Sequence, residues 1–369
     1  MRFQCSVSEL WGALSTATHA LSARTTMPIL EGVLIEAEEG SLKITCSDGS
    51  MTITSTVTAE IEEEGRAVLP GRLFSDVIRK LPPAELSASL NERDVMTLRC
   101  QGSRTNIAGM SAAFFPQKPK LEAEYFLELP QPMVKEMIRQ TSFAVSADES
   151  RKILTGALME IGRGEVRMVA LDGFQLAVRI ALITDETPEV RTIIPGKFLE
   201  ELAKVLSDDE EARVTLVFGK SSQLMCSMGR ATLYTTLLEG EFINYRSILP
   251  EEWRTRLLIN REQMALCVDR AALMAREGKN NFIKLKIDDG VMEITSNSES
   301  GDAYEELPVE QEGDGLEIGF NVRYLADALR AISEEQVYLN FQTSVRPMVI
   351  KPVTESAFVY VVLPVRINA

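Results

Sequence analysis

The feature that most limits what this chain can fold into is an internal triplication. The segments Leu69 to Leu81, Ile194 to Leu206 and Phe320 to Ile332 align on Pro70, Pro195 and Asn321. Apolar residues then fall at the same five places: Leu73, Phe74, Val77, Ile78 and Leu81; Phe198, Leu199, Leu202, Ala203 and Leu206; Tyr324, Leu325, Ala328, Leu329 and Ile332. That spacing marks one face of a helix. A basic residue stands just before each first apolar position, at Arg72, Lys197 and Arg323. A second block precedes each helix. It is an apolar run, a turn at Gly40, Gly164 or Asp289-Gly290, and another apolar run, which reads as a hairpin.

Each repeat also opens with a candidate amphipathic helix. The first carries Leu10, Leu14, Ala17 and Leu21, and the second Met133, Met137 and Ile138. The third, Arg261 to Arg276, carries Met264, Leu266, Val268, Ala271, Ala272 and Leu273. The expected fold is α+β, with three repeated domains of two helices packed on antiparallel sheet. The expected boundaries are 1–123, 124–250 and 251–369.

Composition removes several function classes. A single histidine, His19, leaves no room for a His-based triad or a multi-His metal site. Cys5, Cys46, Cys100, Cys226 and Cys267 are scattered and form no CxxC pair, the pattern of buried reduced thiols in a cytosolic protein. No apolar run approaches the ~20 residues of a membrane span, and the start shows no signal-peptide pattern. The net charge of -15 opposes binding to phosphates. The acid is unevenly placed, however, in Glu60 to Glu64, Ser207 to Glu211, Glu299 to Glu312 and Glu334-Glu335. The candidate helices are close to neutral or slightly basic, so one face can tolerate phosphate while another repels it. Soluble acidic loops give the same pattern.

An enzyme reading rests on Asp48, Asp172 and Asn297, which occupy matching repeat positions and could do acid–base work. Turn chemistry explains a repeated Asp or Asn better, because both cap and tolerate such bends.

Several strings resemble one family. They are Arg24-Thr25-Thr26-Met27-Pro28-Ile29-Leu30, Ala170-Leu171-Asp172-Gly173, Gly240 to Pro250, and the tail Tyr360 to Ile367. With the three repeats, they make the whole chain resemble the bacterial DNA polymerase III beta subunits, the beta sliding clamps. The resemblance implies a head-to-tail homodimeric ring of three-domain chains around duplex DNA, in the cytoplasm. It implies a processivity factor for DNA replication, with no catalytic residues, no cofactor and no metal. The implied partners are DNA without sequence preference, the polymerase III alpha subunit, the clamp loader, and repair polymerases and mismatch-repair proteins carrying short linear motifs. Two other readings stay open: a specialised clamp paralogue with restricted partners, and the three-domain carboxylate enzyme.

Ring size agrees with a dimer. Helices pack about 8–10 Å apart. Six would line a hole of roughly 19 Å, too tight for a duplex whose groove depths imply about 20 Å. Twelve would line about 38 Å. Such a hold is topological and needs few phosphate contacts.

By position, the resemblance implies a peptide-binding cleft of Arg151, Leu154, Leu171, Gly173, Phe174, Leu176, Ile243, Ile248, Asn321, Tyr324, Val345, Pro347, Val361, Leu363, Pro364 and Arg366. An apolar groove with a few polar anchors suits an extended peptide, although each aliphatic residue alone also reads as core. DNA contacts are implied at Arg24, Arg72, Lys197 and Arg323, with Lys135 and Arg139 as further cations; solvated surface cations are the other reading. Thr105 and Ile107 against Leu273 and Met274 are implied at the dimer interface, where edge strands pair. Where many members read Asp-Gly-His-Arg, this chain has Asp172-Gly173-Phe174-Gln175, which implies a cleft biased toward apolar motifs.

Overall fold

The computed structural model describes residues 1–22, 25–38, 40–117, 121–184, 189–250, 252–278, 281–354 and 357–366. Arg24, one of the expected DNA contacts, lies outside them. Among the described residues there are six α-helices: α1 (Val7–Ala17), α2 (Gly71–Lys80), α3 (Gln131–Arg139), α4 (Gly196–Val205), α5 (Arg261–Glu277) and α6 (Val322–Ala331). They stand where the two periodic segments of each repeat predict them. The hairpin turns are also in place. Arg163-Gly164 and Asp289-Gly290 both take positive φ, the backbone twist that matches paired strands.

The structure reveals a deeper repeat. Apart from the short extra strands Glu60–Glu63, Glu310–Gly313 and Pro364–Val365, each third of the chain runs strand, helix and three strands, and then the same again. In the first third these are Arg2–Ser6, α1, Gly32–Glu38, Ser41–Ser47 and Met51–Thr58, followed by Gly65–Pro70, α2, Glu85–Leu90, Val95–Cys100 and Ser103–Ala108. The two halves exchange their first strands. Arg2–Ser6 pairs with Glu85–Leu90, and Gly65–Pro70 pairs with Gly32–Glu38. The other thirds do the same. A half therefore cannot complete its own sheet, which ties the two halves into one folding unit.

By its contacts the chain divides into two compact units, 1–135 with 200–237, and 136–199 with 238–369. The middle repeat contributes to both. In the first unit a five-stranded sheet ends on Ser103–Ala108. An eight-stranded sheet runs through the junction of Met51–Thr58 with Ala231–Thr236, so the first and second repeats share it. Helices α1 and α2 pack together, and Phe3, Leu10, Leu14, Phe74 and Ile78 are buried.

In the second unit a nine-stranded sheet runs through the junction of Gln175–Leu182 with Phe358–Val362, so the second and third repeats share it. A five-stranded sheet ends on Gly301–Pro308. Helix α5 packs on α6 and on the strands Val291–Ser298 and Gly301–Pro308.

Three expected core positions face outward. Leu73 is exposed on α2, and Leu266 and Leu273 are exposed on α5. The last two are two turns apart, so α5 presents a second apolar stripe besides its buried one of Met264, Val268, Ala271, Ala272 and Ala275. The five cysteines are all buried. No helix among the described residues is long and apolar enough to cross a membrane.

Candidate functional site

The expected cleft residues fall within the second unit and separate into a floor and a rim. Leu154, Leu171, Leu176 and Val361 are buried together with Leu158, Val169, Phe242, Tyr245 and Val349. They are core, as their aliphatic character alone suggests, and they form the floor. Tyr245, almost wholly buried, pins the segment 242–249 to it. Ile243 and Ile248, on either side of that anchor, are left exposed.

The rim is assembled by short contacts. The Asp172 carboxylate accepts hydrogen bonds from the backbone N–H groups of Phe174 and Gln175, closing a tight turn. Asp48 does the same for Ser50 and Met51 in the first repeat. Two of the three repeated acidic or amide positions thus do turn chemistry. Asn297 instead lies within a strand, paired with Asp302.

The turn turns Phe174 outward, 51% exposed, where its ring stacks on Tyr324 at 5.4 Å and 12°. The Phe174 carbonyl accepts the Leu363 N–H at 2.9 Å. The tail then continues beside the third repeat, with Pro364 opposite Phe320 and Val365 opposite Gly319. Asn321 follows on that strand and caps α6 by accepting the Arg323 N–H. Burial raises the Tyr324 phenol pKa, the Asp172 carboxylate raises it further, and Arg323 opposes both.

Arg151 is held by Asp148 at 3.1 Å, and its guanidinium lies against Gly173. Val345 and Pro347 sit in the 342–347 loop, Val345 highly exposed and Pro347 half-buried. Leu363 and Arg366 are exposed, and Pro364 is half-buried. Phe174, Ile243, Ile248, Val345 and Leu363 are thus exposed apolar side chains of the second unit, Phe174 and Leu363 joined by a backbone hydrogen bond, while the cluster of Leu154, Leu171, Leu176 and Val361 is buried.

Gln175 does not join this surface. It is buried, and its amide donates to the Phe143 carbonyl and to Asp172. The change at 174–175 therefore acts on the surface through Phe174, while Gln175 fixes the turn from beneath. Gly173 takes φ +97°, a conformation that L side chains resist. Gly173→Ala is expected to cost about 1–2 kcal/mol and to tilt the Phe174 ring. Urea unfolding and Phe174 side-chain NMR shifts check this.

The expected cations lie at equivalent places. Arg72, Lys197 and Arg323 are each the second residue of their helix, and all three are exposed. Arg323, 80% exposed, has Asp327 at 3.6 Å. Lys135 is engaged by Asp208, and Arg139 by Glu136 and Ser333. Among the expected interface residues, Thr105 and Ile107 lie on the sheet-ending strand Ser103–Ala108. Ile107 is buried in its own sheet, so at a seam it offers backbone, not side chain. Leu273 is 60% exposed and Met274 half-buried.

Sequence reasoning missed a polar cluster in the second unit. Glu160 is flanked across the sheet by Arg191 and Arg167. Its carboxylate accepts from the Tyr245 hydroxyl at 2.7 Å and from Arg246 at 2.8 Å. Burial pushes the Glu160 carboxyl pKa up, but the hydrogen bonds from Arg246 and Tyr245 outweigh it and the net shift is downward. A depressed carboxyl stabilises the fold above its unfolded pKa, near 4.5, and loses that contribution as pH falls through the lower folded value. Glu160→Gln is expected to lower the melting temperature at neutral pH and to flatten its fall below about pH 4.5, read by thermal melts across pH. No linear motif announces such a cluster, because its members are cross-strand neighbours.

Two sheets run unbroken through the repeat junctions, and among the described residues the other two end on Ser103–Ala108 and Gly301–Pro308; this defines a triplicated scaffold of shared sheets. The comparisons agree with that class. Residues 1–119, 128–244 and 246–366 match the N-terminal, central and C-terminal domains of the DNA polymerase III beta subunit. The beta sliding clamp of Staphylococcus aureus strain Mu50 is 37% identical over 363 residues, 96% of each chain. The DNA polymerase sliding clamp from Bacillus subtilis superposes with a TM-score of 0.95 at 32% identity, covering 100% of both chains. A sliding clamp from Pseudomonas aeruginosa bound to griselimycin gives 0.93 at 28% identity, again over 100% of both. The chain belongs to the DNA polymerase III beta subunit family, the beta sliding clamps, and its function is that of a DNA sliding clamp.

Proposed function

We propose that two copies of this chain close head to tail into a ring that encircles duplex DNA and performs no chemistry on it. One observation carries this. At each internal junction the last strand of one half-repeat pairs antiparallel with the last strand of the next repeat: Met51–Thr58 with Ala231–Thr236, and Gln175–Leu182 with Phe358–Val362. Applying that rule once more pairs Gly301–Pro308 with Ser103–Ala108 of another copy. Among the described residues neither strand has a partner on its outer side. An exposed sheet edge invites such pairing, and the Leu266–Leu273 stripe of α5 supplies an apolar patch beside it. The three clamp domains are then 1–123, 124–250 and 251–369.

Arg72, Lys197 and Arg323 are the proposed phosphate contacts. A cation in the first turn of a helix opposes the helix dipole at a cost of about 0.3–1 kcal/mol. Its recurrence in all three repeats favours a use that repays this cost. Such contacts position a backbone and read no sequence, so a chain of net charge -15 can still act on DNA by enclosure.

The Phe174–Tyr324 rim is the proposed docking surface for short linear motifs of the replicative polymerase, the clamp loader and repair proteins in the cytoplasm. Its apolar residues over a packed floor suit Leu and Phe side chains of an extended peptide.

Retention on DNA tests the ring. After loading by a cognate clamp loader with ATP, the protein is expected to stay on circular DNA and to leave rapidly once the circle is linearised. Equal retention on both would overturn the proposal.

A further inference from the structure

The polar cluster around Glu160 borders an open concavity of about 620 Å³, lined by Arg163, Arg167, Arg191 and Arg246 together with Glu160, Glu165 and Glu189. Its size falls within the range of small-molecule sites, but its lining is charged rather than apolar. Four guanidinium groups gather here in a chain whose overall charge is -15.

The arginines divide into a fixed frame and two ready donors. Arg246 spends its hydrogen bonds on Glu160 and stacks over the Tyr245 ring at 4.8 Å. Arg167 binds Glu165 at 2.6 Å and the Tyr245 hydroxyl at 3.3 Å, and its Nε is buried with no protein partner. Arg191 is more than half exposed and reaches Glu160 only at 3.7 Å, beyond a hydrogen bond. Arg163 meets Glu189 at 3.2 Å, where both side chains are largely exposed and the pair is weak. Four arginines thus meet three carboxylates, Glu165 taken by Arg167, Glu160 chiefly by Arg246 and Glu189 loosely by Arg163, and the outer guanidinium groups of Arg191 and Arg163 keep most of their donors for a ligand.

We propose that this concavity binds a small polyphosphate, with Arg191 and Arg163 as the direct ligands and Glu160, Arg167, Tyr245 and Arg246 as the frame that sets the field. Guanidinium forks match phosphate oxygens in pairs. The cavity exceeds a single phosphate, and its lining offers little for an apolar body. Tyr245 and Arg246 belong to the 242–249 segment that also carries Ile243 and Ile248, but the two direct ligands, Arg191 and Arg163, are not among the peptide-surface residues.

The test is calorimetric titration of the full chain with inorganic pyrophosphate at fixed ionic strength set by chloride, with succinate as a parallel arm. Saturable binding of one pyrophosphate per chain is expected, weakened about tenfold or more by R191A combined with R163A. Glu189→Gln, which frees Arg163 from its competing carboxylate, is expected to tighten binding about threefold. All three positions are exposed, so melting temperatures should hold. No saturation, binding unchanged by R163A/R191A, or succinate binding as tightly as pyrophosphate would each overturn it.

Discussion

Phe174→Ala is expected to weaken capture of polymerase-derived peptide by about thirtyfold, roughly 2 kcal/mol, with the melting temperature almost unchanged. Half of the Phe174 ring is already in water, so truncation removes little core. What it removes is the upper plate of a stacked pair, and Tyr324 loses its neighbour as well. Anchors of this type dominate binding because they are rigid and can be fully desolvated by a partner. Fluorescence anisotropy with a labelled peptide measures the loss, and Phe174→His separates ring shape from apolar character. If the surface favours apolar motifs, His restores less affinity for a peptide with apolar flanks than for one with acidic flanks. Equal affinity of both peptides for the unmodified chain would sink that preference.

Leu273→Asp is expected to raise the dimer dissociation constant about a hundredfold or more, by placing an unpaired carboxylate in a surface that must dehydrate. The side chain lies outside the chain's own core, so the single copy should fold normally. Sedimentation equilibrium gives the constant, and circular dichroism gives the control. A variant that remains dimeric at nanomolar concentration would place the seam elsewhere.

The triplication was legible because helix faces repeat in phase, and the phase survives changes of residue such as Phe198 to Tyr324. The half-repeat was not. Its two halves share an order of elements but no side-chain string, and strand exchange between them is decided only by tertiary pairing. For the same reason the shared sheets could not be read, since nothing in Gln175–Leu182 names Phe358–Val362 as its partner. Leu266 and Leu273 are exposed although they share the apolar helical spacing, because an outward-facing apolar stripe has the same period as one facing the core; Leu273 also stands among the expected interface residues. At the site, the family resemblance implies an apolar surface, but only the Asp172 turn explains why Phe174 faces out and Gln175 faces in. The role of Glu160 came from register, where residues far apart in sequence stand side by side.

The sheet junctions differ in one respect that governs how such an assembly comes apart. When Met51–Thr58 separates from Ala231–Thr236, the intervening chain keeps the two strands at an effective concentration of the order of millimolar, and they re-zip. No chain joins Gly301–Pro308 to the Ser103–Ala108 strand of a second copy. Once parted, those strands meet again only at the concentration of free protein. In the proposed ring, dilution therefore acts on this seam alone, and the closed ring would persist by slow opening rather than by fast recapture.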